Sequence, residues 1–401
     1  MDEKSLFICI YQKKVVPLQP QTMSNHLKLH QTMKNIVSFF AFVAIVISFA
    51  ACGGKDGNVP EVKGFTFEVQ TLSTKRHYVI TPTNPNAYYI WNGFNYDVCK
   101  ENQIQSRIET TLSSGSFESL IGTSILKGKS LESTKASQTA DTKYILYACY
   151  VEEDPVTHKG KMIGTPEYVI YQTMPEYTLN GEFTVDENGK KVRFSQGNLQ
   201  KMNGTFGFFE NQWGYNGSSS NDPIDLFKWD TPTKCPSPFY VLSRDEWWYV
   251  LKDRPNAEHL FAHATVNDVH GLILLPDNWL KPEGIDMTFS VDMGMNWDEQ
   301  DEEYIHSNDN FDGYAVNTYN ATQWSTLEFS GAVFLPAAKS YEGVANSIGW
   351  YWSSTIHENN NAFAHAFDFI KNKVDLETMN SSAISISSSY CSIRPVREVT
   401  E

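Results

Sequence analysis

The sequence predicts an exported protein with two folded domains, an all-β sandwich followed by an α+β domain. Three observations support this fold class. An apolar run near the start ends at a cysteine, residues 65–174 carry strand patterns with few helix starts, and two capped helices appear among short strands after residue 177. With 401 residues, 41% of them hydrophobic, the chain can bury a core in each domain.

The first element is an export leader. Residues 36–51 form an apolar run that Lys34 precedes and Cys52 follows, and this run is short for a membrane span. It resembles a bacterial lipoprotein signal, in which cleavage leaves Cys52 as a lipid-bearing N-terminus. Because Met33 begins a normal signal, we expect the following order: residues 1–32 a mis-assigned extension, 33–51 the signal peptide, and 52–62 a flexible lipidated tether.

Net charge restricts the partners. Removing everything before Cys52 leaves 27 basic and 45 acidic side chains, a net charge of −18. Such a surface repels nucleic acid and anionic lipid headgroups. We therefore expect no nucleic-acid partner, and contact with the membrane only through the lipid on Cys52.

Residues 63–176 are predicted to be the β-sandwich. The clearest strand is "TKYILYACYVEE", in which Tyr147 and Cys149 fall on one face while Tyr144, Leu146 and Ala148 fall on the other. We expect this strand to be buried on one side only. A length of about 110 residues is typical of an immunoglobulin-like or fibronectin-like sandwich.

Residues 177–401 are predicted to be the α+β domain. Asn188-Gly189 lies between two strand patterns, and both residues tolerate the positive φ of a type I′ hairpin turn. Capping boxes at Ser243 with Glu246 and at Asn320 with Gln323 predict two helices. We expect Gly331 to end the second helix, before a short buried strand at residues 332–335.

Eight segments of this domain occur in an order that suggests a family. They are "VRFSQGNLQ" (192–200), "FGFFENQWGY" (206–215), "IDLFKWDTP" (224–232), "LSRDEWWYVL" (242–251), "VHGLILLPDNW" (269–279), "SGAVFLPAA" (330–338), "GWYWSST" (349–355) and "SIRPVRE" (392–398). Together they resemble the Fibrobacter succinogenes major paralogous domain of Bacteroides-type surface lipoproteins. That family has a C-type-lectin-like fold related to formylglycine-generating enzymes, and its first and last strands pair.

The resemblance implies a lipid-anchored outer-membrane protein that faces the cell exterior and binds an extracellular protein or glycan. In some lectin-like proteins the stretch matching residues 356–390 carries a variable ligand-binding surface, and small polar residues suit such a role. The alternative is a solvated loop with a plain hairpin. The ligand-binding hypothesis names nine residues: Trp350, Trp352, His357, Glu358, Asn359, Asn360, Asn361, His365 and Asn380. The triplet Trp350 to Trp352 is also expected to form a core strand.

Metal sites find little support. "NDNFDG" (308–313) has the first half of a calcium loop, but the position that needs a bidentate Glu is Tyr319, so an EF-hand is rejected and only a loose calcium site stays open. The acid-Pro-Asn or Gln-Pro-Asp loop of calcium-dependent lectins does not occur. His259 and His263 are i,i+4 on an expected helix without the intervening pattern of a zinc protease.

No catalytic motif appears in the sequence, and we expect no enzymatic activity and no cofactor. Four cysteines remain after lipidation, and they are either free or paired as Cys99 with Cys149 and Cys235 with Cys391. Two alternatives stay open. The protein is a structural subunit of a surface appendage or glycan-uptake complex, or it is a degenerate formylglycine-generating-type enzyme that needs Cys235 and Cys391 for copper.

Overall fold

The computed structural model describes residues 64–341, 343–376 and 383–400, all of which belong to one compact unit. The protein is mostly β-sheet, with 41% strand and 13% helix. Within the described residues no helix is long and apolar enough to cross a membrane. The predicted leader, Cys52, the tether and Asn380 lie outside the described residues.

Residues 64–176, the N-terminal segment, contain seven strands and two helices. The strands are β1 Phe65–Thr71, β2 Arg76–Pro82, β3 Tyr88–Asn95, β4 Ile125–Lys127, β5 Leu131–Lys135, β6 Lys143–Glu153 and β7 Gly160–Gln172. A 3-10 turn at Glu101–Gln103 leads into helix α1, Ile104–Ser113, and α2 follows at Phe117–Leu120. Two antiparallel sheets result, with the orders β1-β2-β5 and β4-β3-β6-β7.

The N-terminal segment has two packed sheets, which are compatible with the expected all-β sandwich, and a helical layer that the sequence did not predict. The two sheets pack through a core that includes Tyr78, Tyr89 and Leu146. Helix α1 covers the opposite face of the four-stranded sheet with Ile104, Ile108 and Leu112, and β6 meets it with Ile145, Tyr147 and Cys149. Strand β6 is therefore buried on both faces and not on one.

The C-terminal segment, residues 177–400, contains in its described part strands of two to thirteen residues and two helices. The strands are β8 Phe183–Thr184, β9 Lys191–Phe194, β10 Leu199–Met202, β11 Thr205–Phe208, β12 Phe261–Val266, β13 Val269–Leu274, β14 Met295–Asp298, β15 Glu303–His306, β16 Thr318–Tyr319, β17 Val333–Pro336, β18 Lys339–Tyr341, β19 Val344–Ile356, β20 Phe363–Ile370, β21 Lys373–Asp375, β22 Ile384–Ser385 and β23 Val396–Glu398. Helix α3 spans Arg244–Trp248 and continues as a π-helical turn to Asp253, and α4 spans Ala321–Phe329.

Four sheets organise the C-terminal segment. The main sheet has the order β14-β15-β21-β20-β19-β18, with β22 beside β20. The closing sheet, β23-β9-β8, pairs the last strand of the chain with one of the first strands of the segment. The other two sheets are β16-β12-β13-β17 and the hairpin β10-β11. In the described residues, no strand of one segment pairs with a strand of the other.

Both predicted helices are confirmed with their capping boxes. The Ser243 hydroxyl accepts from Glu246 N at 3.2 Å and the Glu246 carboxylate accepts from Ser243 N at 2.7 Å, while Asn320 and Gln323 exchange the same pair of bonds. Trp247, Val250 and Leu251 are buried as the helical spacing predicts. Gly331 follows α4 with φ +95°, and the expected buried strand is β17.

The hairpin β8-β9 forms, but not through a type I′ turn. Its loop holds four residues, 186–189, and Asp186 O accepts from Gly189 N at 3.2 Å. Gly189 has φ +83°, whereas Asn188 does not adopt a positive φ. The Asp186 carboxylate accepts from Lys190 N at 2.9 Å, which holds the longer loop in place.

Leu72 joins the two segments. It follows β1 in the turn before β2, it is 5% exposed, and it belongs to the core cluster of the C-terminal segment with Leu179 and Phe194. Its carbonyl accepts from Met174 N, in the linker that leads out of the N-terminal segment, at 3.3 Å. The ring of His77 lies 5.8 Å from that of Phe329 in the C-terminal segment. The turn at the end of the first hairpin therefore docks into the C-terminal core.

Replacing Leu72 with Ala is expected to cost about 2–4 kcal/mol of unfolding free energy, because a buried side chain is lost from a shared core. Denaturant unfolding followed by fluorescence measures this. Val156→Ala is the matched control, since Val156 is 86% exposed and should change stability by less than about 0.5 kcal/mol. Equal stability of the Leu72 variant and the wild-type protein would contradict this docking.

Candidate binding surfaces

The hairpin tip, residues 357–361 between β19 and β20, is the exposed part of the predicted site. Glu358 to Asn361 are exposed and His357 is half-buried. The Nδ1 atom of His357 accepts from Asn359 N at 3.2 Å, and the Asn360 side chain accepts from Ala362 N at 3.1 Å. Two of the polar side chains therefore shape the turn, while those of Glu358, Asn359 and Asn361 face solvent.

The hairpin tip is fastened to the start of helix α3. Ser354 N donates to Leu242 O at 2.9 Å, and Arg244 N donates to the Thr355 hydroxyl at 3.0 Å. The guanidinium of Arg244 lies 3.3 Å from the Glu358 carboxylate. These bonds limit the positions that the tip can adopt. The tip is therefore a fixed turn with exposed side chains and not a free loop. Sequence reasoning missed Arg244, whose role depends on a partner far along the chain.

Trp352 and His365 are placed in the core. Trp352 is 0% exposed and its indole donates to Phe227 O at 2.7 Å, so it packs the core instead of offering a ring to a ligand. His365 is also buried, with its ring 5.5 Å from that of His357. Trp352 lies on the face of β19 and β20 that residues such as Leu199 and Ile393 cover, whereas His365 alternates with Ala364 and Ala366 to the opposite face of the sheet.

Trp350 lies away from the hairpin tip. Six residues of β19 lie between it and His357, so an extended strand places the two up to roughly 23 Å apart at about 3.3 Å per residue. The Nζ atom of Lys339 sits 3.7 Å from the centre of its ring. The eight described residues of the predicted site therefore do not lie together: the exposed tip, Trp350 and the two core residues are in different places. The core strand predicted for this aromatic triplet is β19.

The hypothesis that residues 356–390 form a ligand surface does not hold for strands β20 and β21. Strands β20 and β21 cross the main sheet within this range, and Phe367, Phe369 and Val374 are fully buried in the main core. Between residues 356 and 376, exposed residues form a continuous run only at 358–362, in and just after the hairpin tip. The polar composition of residues 356–390 did not predict these two core strands, because only a few apolar residues form their buried face.

A row of carboxyl groups crosses the main sheet beside Trp350. The strand registers place Glu303 opposite Asp375, Asp375 opposite Asp368, and Asp368 opposite Trp350, so all four side chains share one face. The ammonium group of Lys373 lies 2.9 Å from both Glu303 and Asp375. Sequence reasoning missed this row, which arises from residues up to 72 positions apart. The one indication in the local sequence was that Lys373 and Asp375, two residues apart on a short strand, place opposite charges on the same face.

Burial, as the largest cause, and the neighbouring Asp375 carboxylate together raise the pKa of Asp368 to about 7. The ammonium groups of Lys373 and Lys339 lower this pKa, but they offset burial and Asp375 only in part. The folded protein therefore binds a proton at Asp368 more tightly than the unfolded chain does. This contribution to stability is present near pH 4 and is lost as the pH rises through 7.

Asp368→Asn is expected to remove that loss, because an amide carries no charge at any of these pH values. Relative to the wild-type protein, the variant should gain on the order of 1–3 kcal/mol of unfolding free energy between pH 4 and pH 8. Urea unfolding at several pH values measures the difference. Asp309→Asn, at an exposed position, serves as the control. If the unfolding free energies of the wild-type protein and of Asp368→Asn differ by the same amount at every pH across this range, Asp368 does not have a raised pKa in the folded protein.

The expected acidic loop forms the hairpin β14-β15 and the turn after it. Asp312 accepts from Tyr314 N at 3.2 Å, and Tyr319 is buried with its hydroxyl on Asp286 O. Within residues 64–341, 343–376 and 383–400, no cluster of three or more His, Cys, Asp or Glu side chains is placed to hold a metal ion.

The helix expected at residues 259–263 is absent: His259 ends a 3-10 turn and His263 lies on strand β12. His263 is fully buried between Ser290 and Ile370 O, and burial lowers its pKa to about 4.

The four described cysteines are free thiols, so neither of the two possible disulfides forms. Cys99, Cys149 and Cys391 are buried, and burial raises the pKa of Cys235 to about 12 and that of Cys391 further. Both thiols of the C-terminal segment lie in the same apolar cluster. This environment disfavours the thiolate form.

No family model, curated protein or solved structure gives a significant match to the chain. The family resemblance therefore depends on the eight ordered motifs, and the assignment of function on the surfaces described above.

Proposed function

We propose that the protein is a cell-surface lipoprotein that binds an extracellular protein or glycan through a C-type-lectin-like C-terminal segment, without catalysis. The observation that carries this proposal is the hairpin tip, which presents three solvent-facing polar side chains on a turn fastened to helix α3. Adaptable polar groups on a fixed backbone suit recognition, since little conformational entropy is lost when a partner binds.

Two features support the fold part of the proposal. The closing sheet joins β9 to β23, as expected of a lectin-like domain whose ends pair, and two capped helices lie between these strands. In the N-terminal segment, two packed sheets support an immunoglobulin-like spacer, although the α1 layer departs from that pattern. The docking of Leu72 would make the spacer and the binding segment move together.

The non-catalytic assignment rests on the cysteines. A formylglycine-generating-type enzyme needs two nearby thiols that hold copper, and copper binds the thiolate form. Burial of Cys235 and Cys391 in apolar surroundings opposes that form. Binding is therefore favoured over the enzymatic alternative.

The binding proposal is tested with a triple variant, Glu358→Ser with Asn359→Ser and Asn361→Ser. His357 and Asn360 are kept because their side chains accept the hydrogen bonds of the turn. The Arg244–Glu358 ion pair is lost, but the bonds of Ser354 N to Leu242 O and of Arg244 N to the Thr355 hydroxyl still hold the tip, so the fold should be unaffected. A glycan and protein array screen of the wild-type protein identifies ligands. For these ligands we expect the triple variant to lose affinity on the order of tenfold or more.

A matched control places the same type of change on the acidic loop, as Asp309→Ser with Asn310→Ser. Loss of binding only in this control would move the site to the acidic loop and contradict the role of the hairpin tip. An absence of any array ligand for the wild-type protein would contradict the binding role and favour a structural subunit of a surface complex.

We also propose that Cys52 carries the lipid that anchors the protein in the outer membrane, facing outward. Metabolic labelling with palmitate should mark the wild-type protein and leave Cys52→Ser unlabelled and uncleaved, while Cys9→Ser, a change in the expected extension, should keep the label. Protease added to intact cells should degrade the anchored protein. Label retained by Cys52→Ser would exclude the anchor, and resistance to protease would exclude the outward orientation.

A further inference from the structure

A cavity of about 340 Å³ opens where the two segments meet. One wall is the linker after β7, including Thr173 and Thr178, and the other wall is the closing sheet, which contributes Arg193 and Arg397. The volume is at the small end of the range found for ligand sites. The cavity is separate from the hairpin tip and shares no residue with it.

Two arginines face each other across the closing sheet. Arg397 of β23 is the direct partner of Arg193 of β9 in the antiparallel register. Side chains in such positions share a face, with Cβ atoms about 4.5–5.5 Å apart, and like charges placed this way destabilise a sheet. Lys191 lies two residues before Arg193 and adds a third positive charge to the same face.

The protein supplies one carboxylate in contact with these cations. Glu182 contacts Arg193 and lies 3.5 Å from the Nζ atom of Lys191. Arg397 makes no ion pair or side-chain hydrogen bond with any residue that the structure describes, and the Nε atom of Arg193 is buried without a partner. This face therefore carries three positive charges and one carboxylate, Glu182, that contacts two of them, in a chain whose net charge is −15.

Two other acidic residues line the cavity but do not neutralise Arg397. Asp141 belongs to the opposite wall, where its carboxylate accepts from the Gln172 amide at 2.6 Å. Glu398 alternates to the other face of β23, where it acts electrostatically on Tyr240. The guanidinium of Arg397 is thus left as a donor directed at the space between the two segments.

We propose that this cavity binds a small oxyanion, a carboxylate or sulfate group, between Arg193 and Arg397. Guanidinium groups bind such groups through paired charge-assisted hydrogen bonds, and a bound anion would offset the repulsion between the two arginines. The inference goes beyond the proposed function and does not depend on the hairpin tip. The cavity between the two segments would bind a ligand different from the one that the hairpin tip binds.

The test is titration calorimetry of the purified protein at low salt, with glucuronate as the carboxylate probe and inorganic sulfate as the tetrahedral probe. Low salt is used because screening weakens such contacts. We expect saturable binding of at least one probe, and a loss of about tenfold or more in Arg397→Gln. Lys135→Gln, an exposed change at the end of β5, should bind as the wild-type protein does.

A second variant separates binding from folding. Arg397→Glu places a carboxylate opposite Arg193, so its melting temperature should equal or exceed that of the wild-type protein, while anion binding should disappear. Sulfate should raise the melting temperature of the wild-type protein and not that of this variant. Absence of saturable binding of both probes, or binding that survives both Arg397 variants, would overturn the proposal.

Discussion

The buried guanidinium of Arg394 connects the parts of the C-terminal segment that are most distant in sequence. It donates to the side chain of Gln212 at 2.8 Å and to Phe334 O at 3.2 Å, and Gln212 in turn reaches the carboxylate of Glu328 at 3.1 Å. Burial lowers the pKa of Arg394 to about 10, so the group stays charged at neutral pH. A buried charge of this kind is costly unless its donors are paired, which requires the chain end to reach these partners. Just after Arg394, β23 pairs with β9 and completes the closing sheet.

This closure explains why two unlike surfaces occur in one protein. The main sheet is packed on both faces over much of its area, so what it can offer a partner is concentrated at the turn between β19 and β20. The closing sheet brings Arg193 and Arg397 together because its pairing fixes their register. The first surface presents exposed amide and carboxylate groups, and the second presents unpaired guanidinium donors in a cavity. They would recognise different chemical groups.

Features that depend on neighbouring residues could be predicted from the sequence. The two capping boxes and the end of α4 at Gly331 follow from side chains three or four positions apart. Helix α1 was missed although Ile104, Ile108 and Leu112 have helical spacing, because no side chain caps its first turn and Thr110 and Thr111 favour strands. The separation of Trp350 from the hairpin tip, the carboxyl row and the paired arginines depend on sheet registers between distant strands. Composition carries no information about such registers.

The closed C-terminal segment, in which β23 pairs with β9, holds the hairpin tip rigidly and exposes it to solvent. Amide hydrogen exchange of the native protein, read by mass spectrometry of peptides, tests this claim most directly. We expect the amides of Val396 in the closing sheet, of Ser195 just after β9 and of Phe334 in β17 to exchange together in the slowest group, while amides of residues 358–361 exchange fastest in their region. Early exchange of β23 relative to β17, or strong protection of the hairpin tip in the unbound protein, would contradict it.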